Sequence, residues 1–314
     1  MVSALSAPNF HNEEAAYAYV EARIWPEGPV CPHCGGVERI GKMGGKSTRV
    51  GAYKCYQCRK PFTVKIGTIF ESSHVALHLW LQAMYLIAGS KKGISSNQLH
   101  RTLSVTLKTA WFMSHRIREA MRSGDLFPFG SRGGIVEIDE TFIGHDKTVK
   151  PEGEKKKGRG YAHKHKILSL LDRDSGQKRS VVVDSLKAKD LTPILKANIA
   201  KEARVMTDEA GYYSSLGNHF AAHDFTRHGA GQYVDYADPT IHTNTIEGAF
   251  SIFKRGMKGI YQHCAKKHLH RYVAEFDFRY SNRVALGCND ADRADALLAG
   301  IIGKRLTYQT VGAC

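Results

Sequence analysis

The chain has 314 residues, 42% of them hydrophobic, which is enough for two or three modules that each bury a core and excludes a disordered tail. Lys and Arg total 45 against 30 Asp and Glu, a formal charge of +15, so polyanions are the natural partners. No apolar run approaches the roughly 18 residues of a membrane span, and no basic start leads into an apolar segment, so the chain reads as soluble, cytoplasmic and not secreted.

In chain order, Asn12 to Ile24 has a helical apolar side, with Glu13 and Glu14 suited to its first turn. Residues 31–66 hold Gly-rich, basic and β-prone pieces that predict short strands joined by turns. From His74 to Met121 the periodicity is helical, and SSNQLHRTLSV with TLKTAWFMSHRIREA has the dimensions of a helix-turn-helix unit whose later helix would enter a major groove. A plain three-helix spacer fits the same pattern. After the linker SGDLFPFGSRGG, three strands are predicted in IVEIDETFIG, KILSLLDRDSG and KRSVVVDS, the last two as a hairpin. A helix in AKDLTPILKANIAKE and a fourth strand in ARVMTDEAG complete a mixed α/β order. The tract EKKKGRG between the first two strands reads as a loop that orders on phosphate. The expected division is a helix and zinc module over 1–66, a helical DNA-recognition segment over 67–130, and an α/β catalytic core over 131–314.

Four of the seven cysteines form two CxxC pairs, Cys31 with Cys34 and Cys55 with Cys58, separated by 20 residues. Each pair suits a tight knuckle, and four thiolates complete a closed tetrahedral shell around one structural zinc ion. Two redox dithiols or two disulfides are the competing assignments, and the Gly-rich interior favours zinc. So small a module needs the folding energy that the metal supplies.

Asp139 closes the apolar run IVEID and Asp208 closes RVMTD. Two strand-end carboxylates brought together repel each other unless divalent cations fill the gap, although either one alone is more often a turn or helix cap. In HTNTIEGAFSIFKRGMKGIYQ, residues Ile246, Phe250, Phe253 and Met257 form one buried stripe, and Glu247 and Lys254 are seven apart, two turns along one side. Paired metal ions beside a lysine suit cleavage and joining of phosphodiesters, while a solvated helix face is the plainer reading of that pair.

The segments CPHCGG, YKCYQCRKPFTVKIGTIFESS, VEIDETFIG, VMTDEAGYYSSLG and HTNTIEGAFSIFKRGMKGIYQHCAKKHLHRYVAEFDFRYSNR together resemble the bacterial insertion-sequence transposases that join a zinc ribbon to an ISXO-like DDE domain, over roughly residues 15–285. The resemblance implies a multidomain α+β chain whose catalytic core is RNase H-like. It also implies strand cleavage and transfer at terminal inverted repeats with two Mg²⁺ or Mn²⁺ ions, and an acidic triad followed by lysine. Asp139 and Asp208 take the first two places and Lys254 the last. Glu247 takes the third, because a carboxylate binds Mg²⁺ better than an amide. Asn244 is then a second ligand or the helix cap. The expected partner is double-stranded DNA, met by at least a dimer, in a nucleoid-associated protein. Two other functions remain open at this point: an inactive zinc-ribbon regulator derived from such an enzyme, and an RNase H-like nuclease without strand transfer.

Overall fold

The computed structural model describes residues 3–122, 127–144, 161 and 163–307, and the EKKKGRG tract lies outside them. The chain divides into two compact units, one of residues 1–122 with 288–314, the other of residues 123–287.

In the first unit, helix α1 (Glu13–Ile24) begins where the Asn12 side chain accepts the Ala15 N–H at 2.8 Å, and it buries Ala16, Tyr17 and Val20. Strands β1 (Ile40–Lys42), β2 (Tyr53–Cys55) and β3 (Pro61–Phe62) form an antiparallel sheet in that order. Gly51, just before β2, has φ +65°, and a Cβ there would lie 2.0 Å from the Tyr17 ring, so only glycine lets this loop close on α1. Helix α2 (Leu77–Gly89) buries Leu77, Trp80, Leu81, Met84 and Ile87. Its N-terminus is capped from α1, for the Glu13 carboxylate accepts the Leu77 and His78 amides at 2.8 and 3.2 Å.

Helices α3 (Ser96–Leu103) and α4 (Leu107–Ala120) meet across Ser104, a left-handed residue at φ 53°. The helix expected to enter a groove is buried from Met113 to Arg118, and Arg116 gives its guanidinium to the Ile69 and Glu71 carbonyls at 2.8 Å each. Its SHRIRE cations therefore serve packing. Leu107 and Lys108, in its first turn, are exposed.

The second unit is built on a five-stranded sheet ordered β6-β5-β4-β7-β8. Strands β4 (Ile135–Ile143), β5 (His165–Asp172) and β6 (Lys178–Val183) are antiparallel neighbours. Strands β7 (Arg204–Asp208) and β8 (Ala222–Thr226) run parallel to β4. Alternation along β4 and β5 gives each face its own core. Val136, Ile138, Leu168 and Leu170 pack with Leu191 and Leu195 of α5 (Ala188–Asn198). On the opposite face, Leu171 packs with Ile246 and Phe250 of α6 (Asn244–Gly256), and Ile167 packs with Phe253 and with Phe276 of α7 (Lys266–Ser281). Three antiparallel strands, then two parallel ones, with helices on both faces, make this an RNase H-like core in an α+β chain. The edge strand β8 was missing from the expected elements, since AHDFT carries too little apolar alternation to announce itself.

A final helix, α8 (Asp290–Ala299), returns to the first unit and packs on α2. There Asp295 accepts Tyr19 Oη at 2.5 Å and Arg23 Nε at 2.8 Å from α1. Residues 288–314 thus group with the N-terminal residues, whereas the expected core ran unbroken over 131–314. No helix among the described residues is long and apolar enough to cross a membrane.

Candidate metal centres

Asp208 ends β7 as expected, but Asp139 lies in the middle of β4, whose pairing with β5 continues to Ile143. β4 and β7 are parallel with Glu137 opposite Met206. Two residues further along both strands, Asp139 and Asp208 come level on one face, because side chains repeat every second residue. Oxygens of Asp139, Glu140 and Asp208 fall within 4.8 Å of one another. Asp139 Oδ1 accepts the Glu140 amide at 2.7 Å. The Glu140 carboxylate accepts the Tyr212 hydroxyl on one oxygen and the Tyr213 hydroxyl, at 2.7 Å, on the other.

Burial, and after it the charge of Glu140, push Asp139 from an ordinary 3.8 up to about 8, with smaller contributions from Asp208 and Glu247. Burial also raises Glu140, against the lowering effect of its two tyrosine partners. A cluster of half-buried carboxyls repels its own charge, and a divalent cation relieves that repulsion while using the same oxygens as ligands. The donor set, all hard oxygen, fits Mg²⁺ or Mn²⁺.

Helix α6 is fastened beside this cluster by a residue that sequence reasoning missed. Glu137, fully buried, accepts the Ile246 amide on Oε2 at 2.8 Å and Arg173 Nε on Oε1 at 2.7 Å. Arg173 also donates to the Thr240 and His242 carbonyls at 2.6 and 2.7 Å. The capping position of α6 belongs to Thr243, which makes no side-chain bond to the helix, so Glu137 supplies the anion from across the sheet. The available signal was a glutamate inside an apolar strand, two residues before Asp139. Arg173 and His242 lie in loops and gave none.

Asn244 is therefore the first residue inside α6 and not its cap, and it is exposed. Glu247 is half-exposed, with Oε1 3.6 Å from His228 Nδ1. Glu247 lies outside the 4.8 Å group, whose third member is Glu140, yet its charge reaches Asp139. Lys254 is exposed two turns further along α6.

In the first unit, Cys31, Cys34, Cys55 and Cys58 bring their sulfurs within 4.8 Å, with Cys31 to Cys58 at 3.6 Å and Cys34 to Cys55 at 3.7 Å. A tetrahedral shell with Zn–S bonds of about 2.3 Å has edges of about 3.8 Å, so the four fit one ion. The first knuckle closes through the Gly35 amide, which donates to the Cys31 carbonyl at 2.9 Å. None of the four is in a disulfide.

Residues 11–61 match the transposase zinc-ribbon domain and residues 132–281 match the ISXO2-like transposase domain. A relative described as an uncharacterized protein in transposable element ISH50, from Halobacterium salinarum, is 29% identical over 281 residues, which is 86% of this chain and 91% of the relative. Among solved structures, the HTLV-2 integrase catalytic core domain, in complex with magnesium, aligns at 10% identity over 48% of this chain and 86% of that one, with a TM-score of 0.27. The simian T-cell lymphotropic virus intasome aligns at 13% identity over 57% of this chain and 67% of that one, with a TM-score of 0.28. The chain thus carries a transposase zinc-ribbon domain followed by an ISXO2-like transposase domain.

Proposed function

We propose that the protein is an active DDE-type transposase, which cuts and joins DNA strands at the terminal inverted repeats of its own element in a metal-dependent reaction. The observation that carries the reading is the approach of Asp139, Glu140 and Asp208 oxygens to within 4.8 Å on adjacent strands of an RNase H-like sheet. Asp139 and Asp208 would hold the divalent cations, and Glu247 would add its carboxylate from the start of α6. When bound, two such ions activate the attacking water or 3′-hydroxyl and stabilise the leaving oxygen. Glu140, with both oxygens taken by Tyr212 and Tyr213, fixes the strand beside Asp139. Glu137 holds the helix that carries Glu247, and exposed Lys254 on that helix steadies a DNA phosphate. Asn244 lies one turn before Glu247 and would offer an amide oxygen to the same ions.

The zinc ribbon and the exposed first turn of α4 bind the element ends, where N-terminal residues of a groove helix contact bases. Bringing two ends together requires at least a dimer on DNA, in a cytoplasmic, nucleoid-associated protein.

The test incubates purified protein with labelled duplexes carrying the inverted repeats that flank the gene, with Mg²⁺ or Mn²⁺. Nicking and strand transfer are expected in the wild type and lost in Asp139→Ala and Asp208→Ala, with Glu247→Gln and Asn244→Ala ranking the third position. Binding without nicking would leave a regulator, and nicking without joined product would leave a nuclease.

A further inference from the structure

We propose that the cavity at the far end of β4 receives one unstacked nucleotide of the bound DNA, its base inside and its phosphate on Lys164 and Lys258. The inference rests on the transposase reading above. The cavity measures about 360 Å³ and is bordered by Ile143, Gly144, Lys164, Met257, Lys258 and Gln262. That volume is at the small end of ligand sites, suited to one base and too small for a helix or strand. Met257 and Ile143 belong to an apolar cluster with Ile167, so one side of the wall is apolar and held by packing. Among the described residues the border contributes two ammonium groups and the His165 ring and no carboxylate, which favours an anionic occupant.

The backbone that forms the cavity is distorted twice. α6 runs into a π-helical turn, Met257–Tyr261, and Gln262 follows at φ 57°, ψ −52°. The His263 amide donates to the Tyr261 carbonyl at 2.6 Å, closing a γ-turn in its positive-φ, strained form on a residue other than glycine. Single π-turns and strained backbone cluster at binding sites, because packing must over-determine them. Glycine would remove the strain. Gln262 instead brings to the cavity border an amide that both donates and accepts, as recognition of a base edge requires.

The cavity also lies on a path from the carboxylates. α6 is tied to Glu137 at its start and packs through Met257 near Ile143 at its end, so it runs alongside β4. Lys254 on α6 and then Lys258 in the π-helical turn lead towards the cavity. Asp139 and Ile143 are four strand residues apart, about 13 Å, which is about four steps of a DNA strand. Extruding a base costs least where the strand is already unpaired.

The experiment places 2-aminopurine, which brightens when unstacked, at successive positions of the inverted-repeat duplex and measures fluorescence with the full-length protein. Several-fold brightening is expected at one position within about five nucleotides of the cut. Cys264, half-buried, also lines the cavity. Cys264→Trp fills the space and should reduce the signal by more than half. Lys258→Gln, an exposed change that leaves packing alone, should weaken it as well. Brightening at no position, on DNA that the same protein nicks, overturns the cavity and leaves the transposase reading intact. Brightening undiminished in both variants overturns it too. Brightening without metal-dependent nicking sinks the catalytic reading and leaves the nucleotide site standing.

Discussion

Asp139 and Glu137, two residues apart on β4, illustrate opposite uses of a buried carboxylate. Glu137 is satisfied by Arg173 and the Ile246 amide. Removing one partner of such a buried pair costs about 3–5 kcal/mol, because the cation is left unpaired. Glu137→Ala is expected to lose that much in urea unfolding, and Glu137→Gln less, since it still accepts from Ile246. No loss in Glu137→Gln would show that the charge contributes nothing, and equal losses in both that the bond to Ile246 contributes nothing. Asp139 is raised to about 8, so the folded chain holds its proton more tightly than the unfolded one. Its contribution to stability is complete below pH about 4 and declines as pH rises to about 8. In chelator, the melting temperature of Asp139→Asn should therefore exceed that of wild type increasingly across this window. Mg²⁺ should stabilise the wild type most at its upper end. A wild-type curve parallel to that of Asp139→Asn would remove the electrostatic case for a cation.

Helix α6 was readable before any fold was known: the stripe Ile246, Phe250, Phe253 and Met257 is buried as its spacing requires. The hairpin of β5 and β6 was equally clear from alternation and its turn. β8 was not, because an edge strand with one polar side lacks a period that stands out. α4 was read as a helix correctly, but its burial was hidden, since Arg116 and Arg118 look like surface cations until the Ile69 and Glu71 carbonyls accept from Arg116 and the Ser114 hydroxyl accepts from Arg118. The ribbon invites a direct test. Its core consists of Cys31, Cys55 and Phe62, with Trp25, Ile40 and Tyr53 against them, too little to fold without metal. Stripping zinc, or Cys31→Ser, is expected to expose residues 31–62 to hydrogen exchange while the β4–β8 sheet keeps its protection. Unchanged protection of 31–62 in the metal-free protein would refute a structural role for the ion.

Charge acts over the whole molecule, whose formal balance is +15. Affinity for duplex DNA should fall by about 10³ to 10⁵ between 50 and 200 mM salt if six to ten phosphates are contacted. Fluorescence anisotropy checks this, and a salt-independent affinity would rule out backbone-dominated binding. The same slope is expected for Asp139→Ala, since that change removes no phosphate contact.

The two CxxC pairs, the apolar periods and the strand carboxylates Asp139 and Asp208 could be picked out along the chain, because ligand spacing and helical or strand repeat are short-range properties of residue type. Three things came only with the folded molecule: the parallel register that brings Asp139 level with Asp208, the fastening of α6 by Glu137, and the return of α8 to the first unit. Each depends on which distant surfaces bury one another. That choice is made by packing and hydrogen bonding between elements, and no local pattern encodes it.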